Sequence, residues 1–155
     1  MQLTDHFTLE EMCKSSTAIR KGINNFTEDE TIIANLTGLC RHALEPIRAN
    51  YDTAFTPTSA YRCSALNKTL GSSNKSQHVL GQAADIEITG VDNFTLATWI
   101  SENVTFDQLI LEFYQLGDPS SGWVHVSFIL PDYGINRKAG VTYDGHTFQT
   151  GYCHE

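Results

Sequence analysis

The chain lacks any long apolar run: nowhere among its 155 residues does a hydrophobic stretch approach the roughly 20 needed to cross a bilayer. Membrane insertion is therefore not expected. Basic residues are scarce, with 10 Lys and Arg against 18 Asp and Glu. The formal charge of −8 argues against a protein that grips nucleic acid or anionic lipid by bulk attraction. Cysteine is sparse too, and Cys13, Cys40, Cys63 and Cys153 show neither CxxC spacing nor the density of a secreted disulfide scaffold. Free thiols are the first expectation, and pairing of Cys13 with Cys40 or Cys63 is left open. The opening stretch MQLTDHFTLEEMCKSS has no basic start followed by an apolar segment, so no signal peptide is read and synthesis in a cytoplasm is expected.

What is present fits one domain over residues 1–155, long enough to bury a hydrophobic core without a metal staple. Any metal is then expected to be functional. Thr27 with Glu30 reads as a capping box, and Ile32, Ile33, Leu36, Leu39, Cys40, Ala43, Leu44 and Ile47 follow at helical spacing. This predicts the main core helix, bent or ended near Pro46. HFTLEEM predicts a short helix before it, with STAIRKGINN as a connecting segment and His6 as a surface or packing residue. From TPTSAYRC onward the pattern is one of short strands between Gly-, Ser- and Asn-rich loops, interrupted by one helix around NFTLATWISEN. The fold class is α+β, a small antiparallel sheet packed with helices.

The chemistry concentrates in SQHVLGQAADIEI. If AADIEI is a strand, Ala84, Ile86 and Ile88 point one way and Asp85 and Glu87 the other, with His78 folded back toward Asp85 by a turn at Gly81. In FDQLILEF, Leu109, Leu111 and Phe113 are expected to face the core, and Gln108, Ile110 and Glu112 the opposite side. In WVHVSF, Trp123, His125 and Ser127 share a face. A hairpin symmetric about Asp118 and Pro119 would set Glu112 directly opposite His125, while Asp107 would face away.

His78, Asp85 and His125 make a His₂Asp set suited to Zn²⁺ with an open fourth position. Glu112 fits the role of the base that takes a proton from water and passes it to a leaving amine, with Glu87 in reserve. Arg62, in SAYRC, offers a planar fork of donors for a carboxylate or an oxyanion, and Lys68 and Lys75 lie on the loop that follows. The tail VTYDGHTFQTGYCHE, with His146, Cys153 and His154, reads as a final hairpin and frayed end rather than a second metal site.

SQHVLGQAAD resembles the SxHxxGxAxD signature of zinc-dependent murein peptidases, and WVH resembles their second signature. These are the D-Ala-D-Ala carboxypeptidases, D-Ala-D-Ala dipeptidases and phage L-alanyl-D-glutamate endopeptidases. The resemblance runs from HFTLEEM to WVHVSF and implies a zinc peptidase fold shared with the signalling domain of hedgehog proteins. It implies His78, Asp85 and His125 as zinc ligands and Arg62 as the substrate-contacting arginine of the YR motif. Ser76 matches the signature serine beside the site, and Trp123 the aromatic before the last histidine, a substrate contact. Where many relatives carry a catalytic acid, three residues before that histidine, this chain has Gly122.

The expectation is a monomeric phage-type endolysin that cuts peptidoglycan stem peptides, made in the host cytoplasm and acting in the periplasm after release by a separate pore protein. A D-Ala-D-Ala carboxypeptidase is the alternative on the same site. A zinc-binding or virion structural module without hydrolysis is the reading from another class.

Overall fold

The computed structural model describes residues 1–144 and the backbone of 148–150; His146, Cys153 and His154 lie outside the described residues. Thr8 caps α1 (Leu9–Met12) through a reciprocal box with Glu11, and Ser15 caps α2 (Ser16–Lys21), which ends on a left-handed Gly22. STAIRKGINN thus contains a helix where a plain connection was expected. His6 is exposed, as expected, and its Nδ1 lies 2.7 Å from Glu45.

The main helix begins at α3 (Glu30–Leu39), but its cap is Asp29, not Thr27. The Asp29 carboxylate accepts the Thr31 and Ile32 amides at 2.9 and 3.1 Å, whereas Thr27 Oγ1 accepts the amide of Asp29. The chain does not end or break at Pro46. A π-helical turn over Cys40–Leu44 leads directly into α4 (Glu45–Tyr51), so the ladder is already widened where proline has no N–H to give the carbonyl four residues back. A further helix that the strand-like reading of this region passed over, α5 (Ser64–Thr69), follows SAYRC and is capped by the Cys63 sulfur.

The sheet comprises β1 (Ala83–Ile86), β2 (Gln108–Glu112), β3 (Trp123–Ser127), β4 (Ala139–Tyr143) and β5 (Phe148–Thr150), in the order β1-β3-β2-β4-β5. It is mixed rather than antiparallel, because β2 and β4 pair in parallel. After β3 the segment 128–138 carries the chain past β2 to its far edge, and a strand antiparallel to β3 laid there must run with β2. The expected final hairpin is present as the antiparallel pairing of β4 with β5.

Ala84, Ile86, Leu109, Leu111, Val124 and Val126 are fully buried on one face of the sheet, in a core shared with Leu36 and Leu39 of α3, Leu44 of the π turn and Ile47 of α4. Helix α6 (Asn93–Asn103), capped by Asp92, packs on β2 and β3. Gly81 (φ +70°) presses against α3, where a Cβ would lie 2.9 Å from Ile32 Cγ2 and 3.1 Å from Leu36 Cγ. The turn leading into β1 is therefore clamped to the helix. Among the described residues no helix is long and apolar enough to cross a membrane.

Candidate metal centre

The other face of β1 and β3 carries the site. Asp85 and His125 are directly paired across these strands, and the turn ahead of β1 brings His78 beside them. All three are buried, and one ligand atom from each lies within 4.8 Å of the others. His78 Nδ1 sits 2.7 Å from the Ala60 carbonyl, an acceptor only, so Nδ1 carries a proton and Nε2 is the ring nitrogen that faces Asp85 Oδ1, 3.4 Å away. His125 Nδ1 lies 3.2 Å from the same oxygen. Two imidazole nitrogens thus converge on one carboxylate oxygen, a donor set that fits Zn²⁺ by type and number. Burial would raise the Asp85 carboxyl, but the two imidazoles outweigh it and hold it far below the ordinary carboxylate range.

Backbone hydrogen bonds from segment 58–62 lace it to β1 and the His78 turn: Asp85 N–H donates to Ser59 O at 2.7 Å, and Arg62 N–H to His78 O at 3.1 Å. The Arg62 guanidinium is divided among Ser59 Oγ at 3.0 Å, Ser72 Oγ at 3.3 Å and Asp85 Oδ2 at 3.2 Å. It orients the ligating carboxylate by occupying the oxygen the histidines do not. Ser76 Oγ accepts the His78 amide at 3.3 Å.

These groups open into a groove of about 1010 Å³, whose walls include Lys75, Glu112, Trp123, Arg137 and Tyr143; Lys68 is not among its lining residues. Glu112 is half-buried there; burial first, and then the charge of Asp85, raise its carboxyl above the ordinary value. Glu112 pairs with Trp123, and His125 with Ile110, so the expected pairing of Glu112 with His125 is corrected by two residues. The slip comes from the loop: Phe113 (φ 55°) and Gly122 (φ 67°) both leave the strand conformation, tightening the hairpin sooner than symmetry about Asp118 and Pro119 would. Because the shift is even, Glu112 stays on the ligand face, diagonal to His125.

Phe113 does not face the core. Its left-handed backbone turns the ring out to 40% exposure, 5.0 Å from the Trp123 ring and 5.6 Å from that of Tyr143, on the groove wall. Glu87 lies elsewhere: β1 ends at Ile86, and the exposed Glu87 lines a separate cavity of about 460 Å³ with Asp92, Asn93 and Ser120. Asp107 is fully buried and away from the ligands, held by Arg137. Cys13, Cys40 and Cys63 are free thiols, and Cys153 lies outside the described residues.

At Gly122 the backbone explains the missing acid. A Cβ there would overlap the Glu112 carbonyl oxygen and stand 2.7 Å from the Phe113 carbonyl carbon, so no side chain fits. An acid in this groove has to come from another position, and Glu112 is the one that lines it beside Asp85.

The family model for peptidase M15 matches residues 5–127, which include all three candidate ligands, Arg62, Ser76, Glu112 and Trp123. The chain belongs to the M15 peptidase family. No curated protein matches it. An M15 member is a peptidase, of a zinc-dependent family that acts on peptidoglycan, and the buried His78, Asp85 and His125 are a group of this chain able to hold the metal.

Proposed function

We propose that this M15 chain is a zinc metallopeptidase that hydrolyses a peptide bond in peptidoglycan stem peptides, as an L-alanyl-D-glutamate endopeptidase of the phage endolysin type. The observation that carries the reading is the convergence of His78 Nε2, Asp85 Oδ1 and His125 Nδ1 at the floor of a groove that also holds Glu112. The groove, at about 1010 Å³, is at the upper end of small-ligand pockets, which suits a peptide extended beyond a dipeptide.

Zinc held by these three residues supplies a Lewis acid that acidifies water and polarises a carbonyl. Glu112, raised by burial and by Asp85, is suited to take a proton at its carboxylate and return it to the departing amine. Arg62 holds Asp85 Oδ2, and Ala60 O fixes the His78 ring, so both ligands are oriented before substrate arrives. Trp123 and Phe113 form an aromatic wall along one side of the groove, an apolar surface for the substrate to lie against.

A D-Ala-D-Ala carboxypeptidase is the second reading, because the same His78, Asp85 and His125 group with Glu112 in its groove would serve a bond whose leaving group is a free D-alanine. A non-hydrolytic module, the reading that the lack of an acid at Gly122 would favour, is less supported because Glu112 supplies a carboxylate in the same groove. Mass spectrometry of the soluble products from peptidoglycan treated with the zinc-loaded protein separates the three. New D-glutamate N-termini are expected; release of free D-alanine would make it a carboxypeptidase, and no product with zinc bound would leave the non-hydrolytic module.

A further inference from the structure

Three of the chain's 10 basic residues, Arg62, Lys75 and Arg137, line one groove of a molecule whose formal charge is −8. Arg62 is committed to Asp85. Arg137 lies beyond residue 127, the last matched by the family model, and no motif marked it. Its side chain is 63% exposed, yet it is not a loose surface arginine. Nε donates to Asp107 Oδ1 at 2.9 Å, Nη2 to Oδ2 at 2.9 Å, and the Arg137 amide to Oδ1 at 3.1 Å.

Asp107 is itself immobilised. It is fully buried, its carboxylate also accepts Gln77 Nε2 at 2.9 Å, and its backbone donates to Ser127 O and accepts from Ala139 N–H, each at 2.9 Å. The sheet thus grips one edge of the guanidinium fork. Among the described residues Nη1 has no partner, so its donors stay available at the groove wall. A fork fixed in this way loses little rotamer freedom when it binds a second carboxylate. Lys75 has no ion pair among the described residues and supplies the positive charge that the Arg137–Asp107 pair cancels internally.

We propose that Arg137, with Lys75, is a preorganised carboxylate anchor of the groove, binding a carboxylate of the stem peptide away from the scissile bond. The inference rests on the peptidase reading above and adds to it the feature of the substrate that is recognised. Stem peptides in which that carboxylate is a carboxamide are then poor ligands, because an amide brings no charge to the fork.

The test uses synthetic stem peptides, each with one carboxylate replaced by a carboxamide. Their binding to the zinc-loaded Glu112→Gln protein is measured by calorimetry, with hydrolysis by the unaltered protein followed in parallel. One replacement is expected to weaken binding about fivefold or more, the lower range for a charge-assisted hydrogen bond at an exposed site. Arg137→Gln, made in the Glu112→Gln protein, should weaken the parent peptide similarly and add nothing to the loss already shown by that amide. Arg137→Lys keeps a cation beside Asp107 but loses the fork, and should show the same loss if Arg137→Gln does not fold. Equal binding of all the amides, or an amide penalty undiminished in the Arg137 variants, overturns the anchor while cleavage by the unaltered protein upholds the peptidase. Absence of both cleavage and binding overturns both.

Discussion

Gly122 shows how one backbone position can decide where an acidic side chain stands in a groove. Its left-handed φ and its contact with the carbonyl of Glu112 exclude any side chain, and the same hairpin geometry everts Phe113 onto Trp123. Replacing Gly122 with Asp, to restore the acid that many relatives carry there, should therefore lower the unfolding temperature and reduce activity, since the β2–β3 turn has to move. A variant that melts normally and works faster would refute this account. Glu112 is the complementary case: on the proposed reading, Glu112→Gln removes the proton acceptor but none of the three candidate metal donors. It should retain zinc, measured by elemental analysis, and lose about 10²-fold or more in turnover. His78→Ala should lose metal and turnover together.

Helix α3 is started by a carboxylate that accepts two amides, while the threonine two residues earlier accepts the backbone amide of Asp29 instead of capping the helix. Asp29→Ala is expected to cost about 1 kcal/mol in urea unfolding, and more than Thr27→Ala. The clamp of Asp107, Gln77 and Arg137 joins β2, the segment before β4 and the His78 turn. The Arg137 fork holds the Asp107 carboxyl below its ordinary value, against the opposing effect of burial. A depressed folded-state pKa contributes stability in full above the unfolded value, about 3.9, and loses it as pH falls through the folded one. Asp107→Asn should thus be destabilised by about 2 kcal/mol at neutral pH, with the gap from the unaltered protein closing below about pH 4 in urea titrations.

On the scale of the molecule, the candidate ligands Asp85 and His125 lie on the sheet face opposite the apolar core, with His78 on the turn beside them and helices closing that core independently. Removing zinc with a chelator should abolish hydrolysis while leaving the helical circular dichroism in place. The unfolding free energy should fall only by the linkage contribution, about 4 kcal/mol relative to a free zinc concentration of 1,000 Kd, with a matching fall in melting temperature. Loss of the whole circular dichroism signal on chelation would show that the metal holds the fold together.

The strand faces of Asp85, Glu112 and His125 and the core helix were legible in the sequence because each depends on local periodicity, whereas His78 reaches Asp85 from the turn ahead of β1. Alternation along a strand and spacing along a helix survive without tertiary context. Phe113 misled because its apolar character fits the core pattern, and only the hairpin reveals the left-handed backbone that turns it outward. Asp29, the π turn before Pro46 and the helix over Ser64–Thr69 are local in sequence, but were decided by hydrogen bonds that competing patterns masked. The parallel pairing of β4, the two-residue register shift, the separation of Glu87 from the groove and the arrival of Arg137 belonged to tertiary structure alone. Each depends on which strand edge a returning segment meets, and chain path over tens of residues leaves no periodic trace in the sequence.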